Sequence, residues 1–193
     1  MLEALDTEIG RLLGALSPEE RDNTVVIFIG DNGSPNQVTH GFYGDHSAKG
    51  TIYEGGTHVP LVVAGPGVET GRTGAFVETV DLFTTIAGMT GAKAPAGDGR
   101  DFAPALTGGD TGRDYIYVEH FGDAKDAKPS DVFGWALRDA NYKLVQEDGT
   151  APELYDLSMD PRELVDLLAD GISEDEAAIV TRLEMRSAAA RGN

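Results

Sequence analysis

Cysteine is absent from all 193 residues. This excludes disulfides, thiolate metal sites and a cysteine nucleophile within the chain, and it leaves no marker of redox compartment. Basic residues are scarce, 15 against 33 acidic ones, for a formal net charge of −18 at pH 7. Nucleic acid or an anionic membrane would be repelled by such a chain, whereas a cation would be attracted. No apolar run approaches membrane-spanning length, and the first residues have neither the basic nor the apolar region of a secretion signal, so the sequence reads as a soluble chain. Hydrophobic residues make up 40%, enough at this length to bury the core of one compact domain or one and a half.

Leu2, Leu5, Ile9, Leu12, Leu13 and Leu16 share one helical stripe, which Ser17-Pro18 ends. Residues 24–29 and 59–64 are continuous rather than alternating apolar runs. That pattern predicts strands buried on both faces, as in a parallel sheet between helices. The glycine-rich loop between them is long enough to suggest a function. "AFVETVDLFTTIAGM" predicts a helix with Val77, Val80, Phe83, Ile86 and Ala87 on its apolar face and Gly91 as its stop. The order helix, strand, loop, strand, helix is an α/β signature. Beyond about residue 112, "DYIYVEHF", "VFGWALRD", "NYKLVQ" and "ELYDL" predict a small antiparallel sheet. "DPRELVDLLA" and "SEDEAAIVTRLEMRSAAA" then predict two closing helices with acidic first turns. The expected organisation is an α/β part over 1–112 and a subdomain over 113–193.

The first strand runs into Asp31-Asn32-Gly33. Such a triplet is ordinary turn chemistry. It also stands where open α/β sheets collect ligands, beyond the carboxyl end of a strand. A carboxylate beside an amide carbonyl offers hard oxygen donors suited to calcium or magnesium, and two of the six to eight oxygens that calcium takes. Further along the loop, "AKGTIYEGG" sets Lys49 among glycines, either solvated or placed as a point charge for a sulfate or phosphate oxygen. His40 and His46 share that loop as candidate site-lining residues, with His58 and His120 weaker ones. Glu54 with Gly55-Gly56 reads as a turn into the next strand. "GPGVETG" misses the dinucleotide-binding glycine spacing by one residue.

"VVIFIGDNG", "AKGTIYEGGTHVPLVVAGPG", "VETVDLFTTIAGMTG", "DGRDFAPALTG" and "YKLV...ELYDLSMDPRELVDL" occur in the order found in the C-terminal half of the sulfatases. From about Leu5 to about Leu168 the chain resembles an arylsulfatase or choline-sulfatase-like member of the alkaline phosphatase superfamily. The resemblance implies the rear part of an alkaline-phosphatase-like core sheet flanked by helices, followed by the small antiparallel sheet. It implies Asp31 and Asn32 as ligands of calcium, with magnesium as the second candidate, and Lys49 as a substrate-binding residue with His46 as a further candidate. The implied reaction is hydrolysis of a sulfate ester, in which a formylglycine hydrate attacks sulfur.

Two departures qualify that reading. The family's C/S-x-P-x-R signature, whose first residue becomes formylglycine, has no counterpart; "SPEER" at Ser17 has its proline one position early. His58 stands where the family often has arginine. The expectation is therefore a truncated chain, inactive alone, that self-associates or pairs with the missing N-terminal half. Two other classes stay open: a non-catalytic metal- or partner-binding protein on this scaffold, and a phosphoric ester hydrolase of the same superfamily.

Overall fold

A computed structural model describes residues 2–44, 46, 48–94, 96–121 and 132–192. In chain order the elements are α1 (Leu2–Gly14), α2 (Pro18–Asp22), β1 (Val26–Ile29), α3 (Asn36–Thr39), α4 (Glu54–Thr57), β2 (Leu61–Ala64), α5 (Asp81–Met89), a 3-10 turn (Ala103–Thr107), β3 (Ile116–Phe121), β4 (Val132–Arg138), β5 (Tyr142–Glu147), β6 (Glu153–Asp156) and α6 (Glu174–Ala190). No helix among the described residues is long and apolar enough to cross a membrane. The chain divides into two units.

The first unit comprises Met1–Ile29, Pro60–Ala75 and Val80–Thr111. Ser17 does more than stop α1. Its hydroxyl accepts the Glu20 amide at 3.2 Å while its own amide donates to Glu20 Oε2 at 2.8 Å, a capping box that starts α2. The two apolar runs pair, but antiparallel, from Val26↔Ala64 to Ile29↔Leu61. This corrects the parallel reading. β2 alternates, with Leu61 and Val63 half-buried and Val62 and Ala64 exposed, as an antiparallel strand with one covered face does. A continuous apolar run records how many side chains are apolar; it cannot record which face is covered.

Helix α5 forms where its spacing predicts, though shorter, and with a different face inward. Asp81 and Thr85, one turn apart, are fully buried. Asp81 Oδ1 accepts the Arg100 amide at 2.7 Å, and Thr85 Oγ1 accepts the Phe102 amide at 2.9 Å, so the helix holds the returning chain by polar contacts. Phe83, Ile86 and Met89 face outward.

The second unit comprises Gly30–Val59, Phe76–Thr79 and Gly112–Asn193. Its sheet is an antiparallel meander in the order β3-β4-β5-β6, as the four short apolar runs predict. Side chains alternate between two covered faces, with one register shift between His120 and Phe121. Leu137, Leu144 and Leu154 pack on one side against Val180 and Leu183 of α6. Ala136, Val145 and Tyr155 pack on the other against Ile52 and Tyr53 of the long loop. Each fully buried leucine contributes roughly 1.5–3 kcal/mol. A second capping box, Ser173 with Glu176, starts α6.

The helix expected from "DPRELVDLLA" is absent; turns take its place. Asp160 Oδ2 accepts the amides of Leu164 at 2.5 Å and Val165 at 2.9 Å, which fixes a turn in place of a helical ladder. Glu163 adopts φ 59, a left-handed conformation that no helix continues through.

Candidate functional site

The loop after β1 folds back on itself through its backbone. Gly33 N donates to Gly56 O at 3.0 Å, Lys49 N to Ser34 O at 3.1 Å, and Ala48 N to the Asn36 side-chain oxygen at 2.8 Å. The segment carrying Asp31 and Asn32 is thereby tied to the segment carrying Lys49. The glycines make this approach possible. A Cβ on Gly33 would stand 2.1 Å from Gly55 O, and one on Gly56 would stand 2.2 Å from Thr51 O. Gly33 and Gly56 are thus required by backbone contact.

Asp31, Asn32 and Lys49 are exposed, and among the described residues their side chains have no hydrogen-bond or ion-pair partner. Their neighbours in sequence are fixed while their functional groups stay open. Among the described residues no group of three or more His, Asp and Glu side chains is gathered to hold a metal. The donor set that does exist, one carboxylate and one amide oxygen, suits part of the shell of a hard cation.

Glu54 has a larger role than a turn residue. Its carboxylate is 5% exposed. Oε2 lies 2.8 Å from Arg138 Nη1 and 2.9 Å from His58 Nδ1, and Oε1 lies 3.2 Å from Lys143 Nζ. Lys143 Nζ also lies 2.8 Å from Glu163 Oε1, while Glu163 Oε2 accepts the Glu54 amide at 2.5 Å. This buried network ties α4 to β4, β5 and the 160–163 turn. Burial pushes the Glu54 carboxyl up, but His58, Lys143 and Arg138 together outweigh it and hold it down at about 2. Burial dominates at Glu163 and raises its carboxyl despite Lys143. Nothing in the sequence marked this cluster, because Glu54, Arg138, Lys143 and Glu163 are far apart along the chain.

The histidines separate. His40 is exposed, at the left-handed end of α3 (φ 43), and His120 is exposed on β3. The His58 side chain is 71% exposed and reaches Glu54. His46 is half-buried, stacked on Tyr53 with ring centroids 4.0 Å apart and planes 19° from parallel, and its Nε2 lies 3.1 Å from Tyr155 Oη. One loop therefore carries an open carboxylate and amide, an open ammonium and a firmly held imidazole.

Residues 1–92 match the family model described as Sulfatase. The chain is 33% identical to a sulfatase of Formosa agariphila, covering 94% of this chain and 37% of that protein. It is 31% identical to arylsulfatase A of Bos taurus, covering 97% and 42%. The structure of the phosphonate monoester hydrolase of Agrobacterium radiobacter superposes with a TM-score of 0.79 at 29% identity, over 100% of this chain and 40% of that one. This chain thus spans about two fifths of the length of the proteins it matches. Its architecture is the α/β one of the alkaline-phosphatase-like neighbours, with two antiparallel sheets and helices. The chain is, over most of its length, a homologue of the sulfatases.

Proposed function

We propose that these residues form the metal- and sulfuryl-binding half of a sulfuric ester hydrolase site. In this reading Asp31 and Asn32 are ligands of calcium, with magnesium as the second candidate, and Lys49 contacts a sulfuryl oxygen. The observation that carries the proposal is the backbone pairing of Lys49 with Ser34 and of Gly33 with Gly56, which ties the hard-oxygen pair and the ammonium into one folded loop. When bound, the cation supplies charge stabilisation at the sulfuryl oxygens. Lys49 orients the same anion as a point charge, and His46 is a further contact.

Catalysis by a formylglycine nucleophile needs a residue that this sequence does not contain, so the proposed chain binds without turning over. The nucleophile would come from sequence equivalent to the part of the relatives that this chain does not span. Such a segment, or a second copy of the chain, would cover the apolar side chains left open on β1, β2 and α5.

A specific observation favours a second reading, action on a phosphonate or phosphate monoester: the match to the phosphonate monoester hydrolase covers the whole chain. Competition separates the two. With calcium present, inorganic sulfate is expected to shift the Lys49 Nζ resonance, to be displaced by aryl sulfate in preference to phenylphosphonate, and to lose its binding on Lys49→Ala. Preference for phenylphosphonate would replace the sulfate reading. Sulfate binding unaffected by both Lys49→Ala and Asp31→Ala would overturn the site.

A further inference from the structure

Glu153, the first residue of β6, receives two phenolic protons at one oxygen. Tyr53 Oη lies 2.7 Å and Tyr155 Oη 2.5 Å from Glu153 Oε2. The same Tyr155 Oη meets His46 Nε2 at 3.1 Å. A phenol has one proton to give. With that proton on the bond to Glu153, the Tyr155 oxygen only accepts from His46, so the imidazole carries a proton on Nε2. Burial, then the bond to Glu153, raises the titration of both tyrosines above their ordinary value, so both remain phenols at neutral pH.

The ring plane of His46 is fixed as well. Tyr53 stacks on it, and Tyr155 meets it edge to face, centroids 5.8 Å apart at 88°. The carboxylate, the two phenols and the imidazole all belong to the second unit. Tyr155 is 1% exposed, whereas His46 is only half-buried. Here Nε2 is tied down, and Nδ1 meets no partner among the described residues. Its backbone stands three residues before Lys49.

We propose that His46 is a contact residue for the oxyanion of a sulfate monoester, and that Glu153, acting through Tyr155, is the positioning residue that fixes its tautomer and ring plane. The inference rests on the reading of Lys49 as the sulfuryl contact. In the neutral tautomer Nδ1 carries a lone pair, so contact with the anion is coupled to uptake of one proton from solvent; in the imidazolium so formed Nδ1–H donates to an anion oxygen while Nε2–H stays on Tyr155, and the ring itself does not move. Sequence alone offers a weak signal of this: Tyr53 lies one residue before Glu54, and Tyr155 lies in a strand a hundred residues away.

The test uses the full chain, labelled with 15N at histidine and lysine, with His46→Gln to assign the signal. The Nε2–H of His46 is expected to exchange severalfold more slowly than that of exposed His120. Inorganic sulfate with calcium present is expected to shift His46 Nδ1 and Lys49 Nζ with one common midpoint. Tyr155→Phe and Glu153→Gln are each expected to remove the exchange protection. Tyr155→Phe should also raise the sulfate midpoint severalfold while Lys49 still responds. The wild-type measurements decide even where a variant folds poorly. Unprotected Nε2–H, or sulfate that shifts Lys49 and leaves His46 unmoved, overturns this inference alone. Sulfate that shifts neither overturns the reading of Lys49 and this inference with it.

Discussion

Lys143 Nζ lies 3.2 Å from Glu54 Oε1, with both side chains at most 5% exposed. A buried charge pair of this kind is costly to break from one side, because the partner is left uncompensated. Glu54→Gln is therefore expected to destabilise the second unit by about 3–5 kcal/mol near neutral pH. The pH dependence follows from the sign of each shift. The Glu54 carboxyl is held below its ordinary 4.5, at about 2, so its contribution is present above 4.5 and is lost as pH falls through about 2. Glu163 is raised, so its contribution has the opposite sign: stability falls as pH rises from 4.5 through its raised value. Urea unfolding of wild type and Glu54→Gln across the acid range measures both. Equal acid slopes for the two proteins would remove Glu54 from the network.

Gly33 tests the backbone contact separately from the charges. Gly33→Ala places a methyl 2.1 Å from Gly55 O, and overpacking of this order costs about 1–3 kcal/mol. The variant is expected to melt lower and to bind calcium more weakly than wild type. Unchanged melting would show that the two segments separate easily.

Calcium should bind weakly to the chain alone. Asp31 and Asn32 supply two of the six to eight oxygens, and affinity follows how many ligands a site holds in fixed geometry. Calorimetry is expected to give a dissociation constant on the order of millimolar, lost on Asp31→Ala. Submicromolar affinity would reveal a complete site within these residues.

Aryl sulfate hydrolysis by the purified chain is expected to stay at background with calcium added, because no residue matches the formylglycine signature. Turnover that survives repurification and disappears on Lys49→Ala would show that the chain supplies its own nucleophile.

Phe28 and Val62 are register partners across β1 and β2, and they are 38% and 57% exposed. Together with outward-facing Phe83, Ile86 and Met89 of α5, they leave the first unit with apolar side chains to cover. Self-association is the expected outcome, and added salt should strengthen it by screening the charge of −18. Sedimentation velocity across salt concentrations checks this. A monomer at every ionic strength would show that these side chains tolerate water.

Local order was legible in the sequence wherever one period or one cap decides it. The leucine stripe of α1, the four strands of the meander and α6 with its acidic first turn follow from spacing and from charge at a helix start. The candidate site was legible as residue types: a carboxylate and an amide beyond a strand, and a lysine among glycines. Tertiary structure decided everything that depends on which distant residues meet. The direction of the β1–β2 pair and the inward face of α5 each turn on a partner outside the local window, whereas the turn at Asp160 is set locally, by a side chain that competes with the helical ladder that periodicity alone predicts. Glu54 reads as a turn residue until Arg138 and Lys143 arrive beside it from β4 and β5. His46 reads as one loop histidine of two until Tyr155 and Glu153 fix its ring. Periodicity is a property of neighbours in sequence, whereas burial and ionisation depend on neighbours in space.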